Sequence, residues 1–162
     1  MKVTSKFLWC CLALAATLLS NVSCTSPPLA DMGPLDGVQW VTYSNPIVGY
    51  SFSYPGVLDL TERGGEVMLS YRGKVGIRVV IVSEDEGKAR GLWVGGKPLE
   101  KTTLGSRDAL RYEYDHFDFG VTSHTVAYVA AHRGKELGLE FRLAPALADV
   151  ERRVVASFRF AD

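Results

Sequence analysis

Gly49-Tyr50-Ser51-Phe52-Ser53-Tyr54-Pro55 decides how this chain folds. Tyr50, Phe52 and Tyr54 recur at every second position, with Ser51 and Ser53 between them. Successive side chains of an extended strand point to opposite faces, so the three rings share one face and the hydroxyls the other. This is a half-buried strand, stopped by Pro55-Gly56. Upstream, Val38 to Tyr43 alternates in part and reads as a first strand or an ordered lead-in, with a turn at Asn45-Pro46. Downstream, Val57 to Leu60 continues the strand briefly before a turn at Glu62-Arg63-Gly64-Gly65.

The period persists. Glu66–Tyr71 and Val75–Val82 flank Arg72-Gly73-Lys74 as a hairpin, and the second arm is β-branched almost throughout, as a central strand is. Ser83 to Arg90 is charged and opens with a helical turn, and a glycine-rich stretch follows. Leu99 to Leu104 is ambiguous. Ala109 to Asp115 alternates, with Leu110, Tyr112 and Tyr114 opposite Arg111, Glu113 and Asp115. Thr122–Ala131 and Glu136–Leu143 form a second hairpin about His132-Arg133-Gly134-Lys135, with His132 in solvent at the turn. Its second arm sets Leu137, Leu139, Phe141 and Leu143 against Glu136, Glu140 and Arg142. From Pro145 the period changes: Leu147, Val150, Val154 and Phe158 recur at three and four, the spacing of one helix face, and Phe160 packs after it. The fold class is therefore α+β, a central antiparallel sheet closed by a C-terminal amphipathic helix.

Residues 1–24 are of another kind. Lys2 and Lys6 precede an apolar run of 13 residues, Phe7 to Leu19, and Ser20-Asn21-Val22-Ser23 leads to Cys24. A membrane-spanning helix needs ~20 apolar residues, so this is the core of an export signal. Two readings of its exit are open: Cys24 becomes a lipid-bearing N-terminus, or ordinary signal peptidase cuts after it. The lipoprotein reading is the one adopted, because residues 25–37 follow as a flexible tether rich in Pro, Gly, Ser and Asp. Asn21-Val22-Ser23 matches a glycosylation sequon inside the leader and carries no meaning there. Residues 38–162 are one domain. The protein is expected outside the cytoplasm, held to a bacterial membrane through Cys24, or else periplasmic or secreted.

All three cysteines, Cys10, Cys11 and Cys24, lie in the leader, so residues 38–162 hold neither disulfide nor thiolate metal site. Lysines and arginines number 18, as do aspartates and glutamates; without Lys2 and Lys6 the balance is 16 against 18, or −2. A nucleic-acid partner is not expected from that balance.

Three blocks together resemble the PsbP-like superfamily. They are Tyr43 and Asn45 with Gly49-Tyr50-Ser51-Phe52-Ser53-Tyr54-Pro55, then Leu104-Gly105-Ser106-Arg107-Asp108-Ala109, and lastly Val154-Val155-Ala156-Ser157-Phe158-Arg159-Phe160. That group includes the extrinsic photosystem II subunit, the Ran-binding Mog proteins and many bacterial lipoproteins. The resemblance covers Val38 to Asp162. It implies an α/β/α sandwich around an antiparallel sheet and a non-catalytic role in binding or assembly, with no binding residue carried over.

Candidate chemistry is sparse. Gly91 to Lys97 has the spacing of a phosphate loop, but Pro98 stands where Ser or Thr should hold magnesium. No Gly-x-Ser-x-Gly elbow occurs, and Glu84, Asp85 and Glu86 form one solvated run. His116, Asp118 and His124 are metal-ligand candidates across a turn, for zinc or copper. Trp93, in a glycine-rich loop, is the candidate anchor for a partner, set against a ring folded back onto the core. The expectation is a non-enzymatic accessory of an envelope complex, without cofactor, its partner an envelope protein. The competing class is a carrier or sensor of a small ligand or metal ion.

Overall fold

In the computed structural model the chain is described at residues 35, 37–90, 92–93, 97–118, 121–143 and 147–161; of 116–118 and 121–123 the backbone alone is described. The leader, Cys24 and the tether as far as Pro34 lie outside the described residues. The elements are β1 (Trp40–Asn45), β2 (Tyr50–Pro55), β3 (Asp59–Arg63), β4 (Glu66–Tyr71), β5 (Lys74–Val82), α1 (Glu84–Ala89), β6 (Glu100–Leu104), β7 (Arg107–Asp118), β8 (Val121–His132), β9 (Lys135–Phe141), α2 (Ala148–Ser157) and β10 (Arg159–Phe160). The fold is α+β and mostly antiparallel sheet. No helix among the described residues is long and apolar enough to cross a membrane.

One central sheet was expected; the strands divide into two. A seven-stranded sheet runs β3-β4-β5-β9-β8-β7-β6, and a three-stranded one runs β1-β2-β10. The rings of β2 account for the division. Tyr50 and Phe52 stack on Phe158 with ring centroids 5.6 and 5.9 Å apart. All three belong to the same core as the apolar face of the large sheet, so β2 lies over that sheet and not within it. The chain crosses over at Leu58, and β3 begins the large sheet instead of extending β2. β3 also runs through Glu62 and Arg63, where a turn was expected, and the reversal falls on Gly64-Gly65, both in the left-handed region that favours glycine.

β9 occupies the centre of the large sheet and is buried on both faces. On the first face Leu137, Leu139 and Phe141 join Ile77 and Val79 of β5, Val67 and Leu69 of β4, and Val150 and Val154 of α2. Leu147, Val150, Val154 and Phe158 are all buried, although Phe158 already lies past the helix in extended backbone. Pro145, the expected helix start, lies outside the described residues. The second face holds a smaller core of Val80, Val82, Tyr112, Ala127 and Val129 under Leu92 and Trp93. The charged stretch after β5 forms α1, where the Ser83 Oγ accepts a hydrogen bond from the Glu86 N–H at 3.4 Å and three acids occupy the first turn. Leu99–Leu104 settles as β6, a sheet edge.

Trp93 is therefore not an exposed anchor. It is 2% exposed. Its indole N–H donates to Glu136 Oε2 at 2.8 Å, and its ring lies so close over Gly138 that a Cβ there would sit 2.1 Å from it. Burying a large ring gains more than presenting it, and the backbone of β9 leaves the room. Gly138→Ala is expected to lift the ring, cost about 1–3 kcal/mol and shift tryptophan emission to the red. An unchanged denaturation midpoint and emission maximum would contradict this placement.

Candidate functional site: a buried ionic cluster on the second sheet face

Arg78 of β5 and Glu140 of β9 stand directly opposite each other in the ladder. Glu140 is 1% exposed. Its Oε2 accepts from Arg78 Nε at 2.6 Å, and Arg78 Nη2 lies 2.6 Å from the same oxygen as an ion-pair contact. Its Oε1 accepts from the Tyr114 hydroxyl at 2.8 Å. Tyr114 comes from β7, across β8, where Ala127 is the residue opposite Glu140 and its small side chain leaves room for the phenol to reach over. Arg78 Nη1 lies 3.8 Å from Glu66 Oε2; Glu66 is also ion-paired with Arg90, which lies 3.5 Å from Glu86. The charges thus run from the sheet centre out to α1.

Burial, and then the Glu140 charge and hydrogen bond, push the Tyr114 hydroxyl far above the usual phenol range, with Arg78 and Arg142 pulling the other way. Tyr114 stays protonated and donates. On the first face Tyr128 donates to Glu151 of α2 at 2.7 Å, and burial and that bond raise it to about 12. A carboxylate with a hydrogen bond on each oxygen and a guanidinium beside it is a paired anion. What the cluster does is hold strand register; a ligand would have to displace groups bonded to each other.

This cluster escapes the alternation rule, which assigns Glu140 to a solvated face with Glu136 and Arg142. The available signal is Arg78, a lone cation inside the β-branched run of β5: a charge in a central strand needs a buried partner.

The metal candidates do not come together as a described group. Side chains of His116 and Asp118 lie outside the described residues; the backbone pairs His116 with Ser123 and Asp118 with Val121. Asp115 pairs with His124, so alternation puts positions 116 and 118 on the face opposite position 124. His124 Nδ1 is 3.4 Å from Asp115 Oδ1 and its Nε2 is 3.9 Å from Glu113 Oε2. Among the described residues no three potential ligands converge. His132, expected in solvent, is 2% exposed. Its Nε2–H donates to the Val48 carbonyl at 2.7 Å and its Nδ1 accepts from Arg107 at 3.1 Å, so it ties the large sheet to the β1–β2 turn.

Removing one partner of the central pair strands the other. Glu140→Ala or Arg78→Ala is expected to cost about 3–5 kcal/mol, while Arg78→Met with Glu140→Leu recovers most of that loss. Simple addition of the two losses in urea unfolding would contradict the pairing.

No family model and no curated protein matches the chain. Among solved structures, one from Bacteroides thetaiotaomicron VPI-5482 aligns with a TM-score of 0.52 at 12% identity, over 75% of this chain and 48% of that one, so this chain spans about half of that protein's length. Cyanobacterial PsbP (CyanoP) from Synechocystis sp. PCC 6803 aligns with a TM-score of 0.51 at 16% identity, over 82% of this chain and 98% of that one. LpqN, involved in cell envelope biogenesis of Mycobacterium tuberculosis, aligns with a TM-score of 0.42 at 12% identity, over 78% and 92%. At such identities the likeness speaks of fold alone. The domain has a PsbP-like fold.

Proposed function

We propose that the chain is a non-catalytic, membrane-tethered binding or assembly accessory of a bacterial envelope complex, with a PsbP-like α/β/α sandwich as its working part. The observation that carries this reading is the order of its parts. An export signal ends at Ser23-Cys24, a tether spans 25–37, and a single domain with a PsbP-like fold follows. Lipid on Cys24 would hold the domain beside a membrane, and confinement raises the local concentration of any membrane neighbour, so weak contacts suffice. The central ionic cluster supports a binding role, since its charges are spent on one another and not on a substrate. The partner is an envelope protein, met through loops and sheet edges. A second reading, an extracytoplasmic carrier or sensor of a small ligand or metal ion, draws on His124 between Glu113 and Asp115.

The test is mild crosslinking in native membranes, with the intact mass of the mature protein read from the same sample. The expected result is an acylated Cys24 as the N-terminus and a stoichiometric envelope partner. A mass beginning at Thr25 with no partner would overturn the tethered accessory and leave the carrier reading.

A further inference from the structure

The β1–β2 turn carries Ile47, 86% exposed, the most exposed large apolar side chain among the described residues. The turn is not loose. The Asn45 carbonyl accepts from the Gly49 N–H at 2.8 Å and its side-chain Oδ1 from the Val48 N–H at 2.9 Å. The Ile47 carbonyl accepts from Arg133 at 2.9 Å, the Val48 carbonyl from His132 at 2.7 Å, and the Gly49 carbonyl from the Ala161 N–H at 2.9 Å. Gly49 has φ +86°, and a Cβ there would meet Arg133 Nη2 at 2.8 Å, so the turn and the arginine are fitted to each other. Backbone polarity is satisfied inward, and the isoleucine is left outside on a rigid apex. A single exposed apolar side chain is ordinary on a protein surface; this one differs in standing on a fixed turn with cations beside it.

Cations surround that apex. Arg133, Lys135 and Arg159 are exposed at this corner, and Arg107 lies over the Phe160 ring at 4.3 Å. Among the described residues Arg133, Lys135 and Arg159 meet no carboxylate; Arg159 donates to the carbonyls of Ala156 and Phe158. Elsewhere Arg78, Lys88, Arg90 and Arg111 are paired with glutamates, while Arg72 and Arg153 lie over the rings of Tyr71 and Trp40. Among the described residues the nearby acids turn away. Glu136 faces the Trp93 indole, and Asp108 falls on the opposite face of β7 from Arg107.

We propose that this corner, Ile47 with Arg133, Lys135 and Arg159, docks on an anionic lipid surface. A protein partner would need a groove or further apolar residues beside the apex to build a buried core. A fluid interface needs neither: one isoleucine enters the headgroup region while phosphates meet the guanidinium and ammonium groups. Docking rests on the membrane-tethered reading and deepens it, because it orients the domain on its own membrane. Tether length permits it: Leu35 packs against the core, and the ten residues 25–34 before it can span at most ~35 Å. The six residues of β1, which separate the tether from the apex, span ~20 Å.

The experiment uses the full chain carrying Ile47→Trp, mixed with excess vesicles of phosphatidylcholine with or without about one third phosphatidylglycerol. Flotation reports attachment of the protein; quenching of the new tryptophan by brominated lipid reports docking of the apex. Quenching is expected on the anionic vesicles and should fall about fivefold for each charge removed in Lys135→Gln and Arg159→Gln, and fall again in high salt. Ile47→Ser, at an exposed position that leaves folding intact, should reduce flotation of a Cys24→Ser protein on the anionic vesicles without changing flotation of an acylated protein. Flotation without quenching, or equal quenching on neutral vesicles, would overturn the docking face and leave the lipid anchor standing. Quenching by a protein whose Cys24 is unmodified would support the docking face and overturn the anchor. Neither flotation nor quenching would overturn both.

Discussion

The two buried faces of β9 are the constraint on which the structure depends. A strand with alternating burial can hide its apolar side and leave the other to water. β9 has β5 on one edge and β8 on the other, a helix over its first face and a loop over its second. Its polar side therefore has to be satisfied inside the protein. Three residues do this in three ways: Glu136 receives the Trp93 indole N–H, Gly138 offers bare backbone to the Trp93 ring, and Glu140 takes Arg78 and Tyr114. A slip of one residue would turn Glu140 into the leucine core and set Leu139 against Arg78. Register follows from that penalty.

The same economy shapes the surface. Where the large sheet needs charge it is paired, as in the run from Glu140 through Arg78 and Glu66 to Arg90. At the corner of the β1–β2 turn Arg133 and Arg159 are held by backbone carbonyls, and among the described residues they meet no carboxylate. His132 joins the two regions, fastening the second hairpin to the turn that carries Ile47. Ile47 is exposed beside Arg133, while in the sheet interior Glu140 and Arg78 are paired with each other.

Much of this was legible in the chain. Glu66–Tyr71 appears as β4 with the expected bounds, and the β5 and β8–β9 assignments differ from the structure by a residue or two. The helical spacing of Leu147, Val150 and Val154 placed α2. Period reports which face a residue takes, not what lies over that face. That is why Glu140 looked solvated, why His132 looked like a turn residue, and why the rings of β2 did not announce a separate sheet. Trp93 was open in the sequence because a glycine-rich loop says nothing of where its aromatic lands; Gly138, forty-five residues later, receives it. Cys24 and residues 25–34 lie outside the described residues.

Native-state hydrogen exchange tests the central claim most directly. If β9 is the spine, the amides of Leu137 to Phe141 and of their β5 partners exchange last, at the rate set by global unfolding, while the edge strands β3 and β6 open earlier. Amides of β9 exchanging as fast as those of β3 or β6 would contradict it, and would mean that the covered second face contributes little to holding the sheet together.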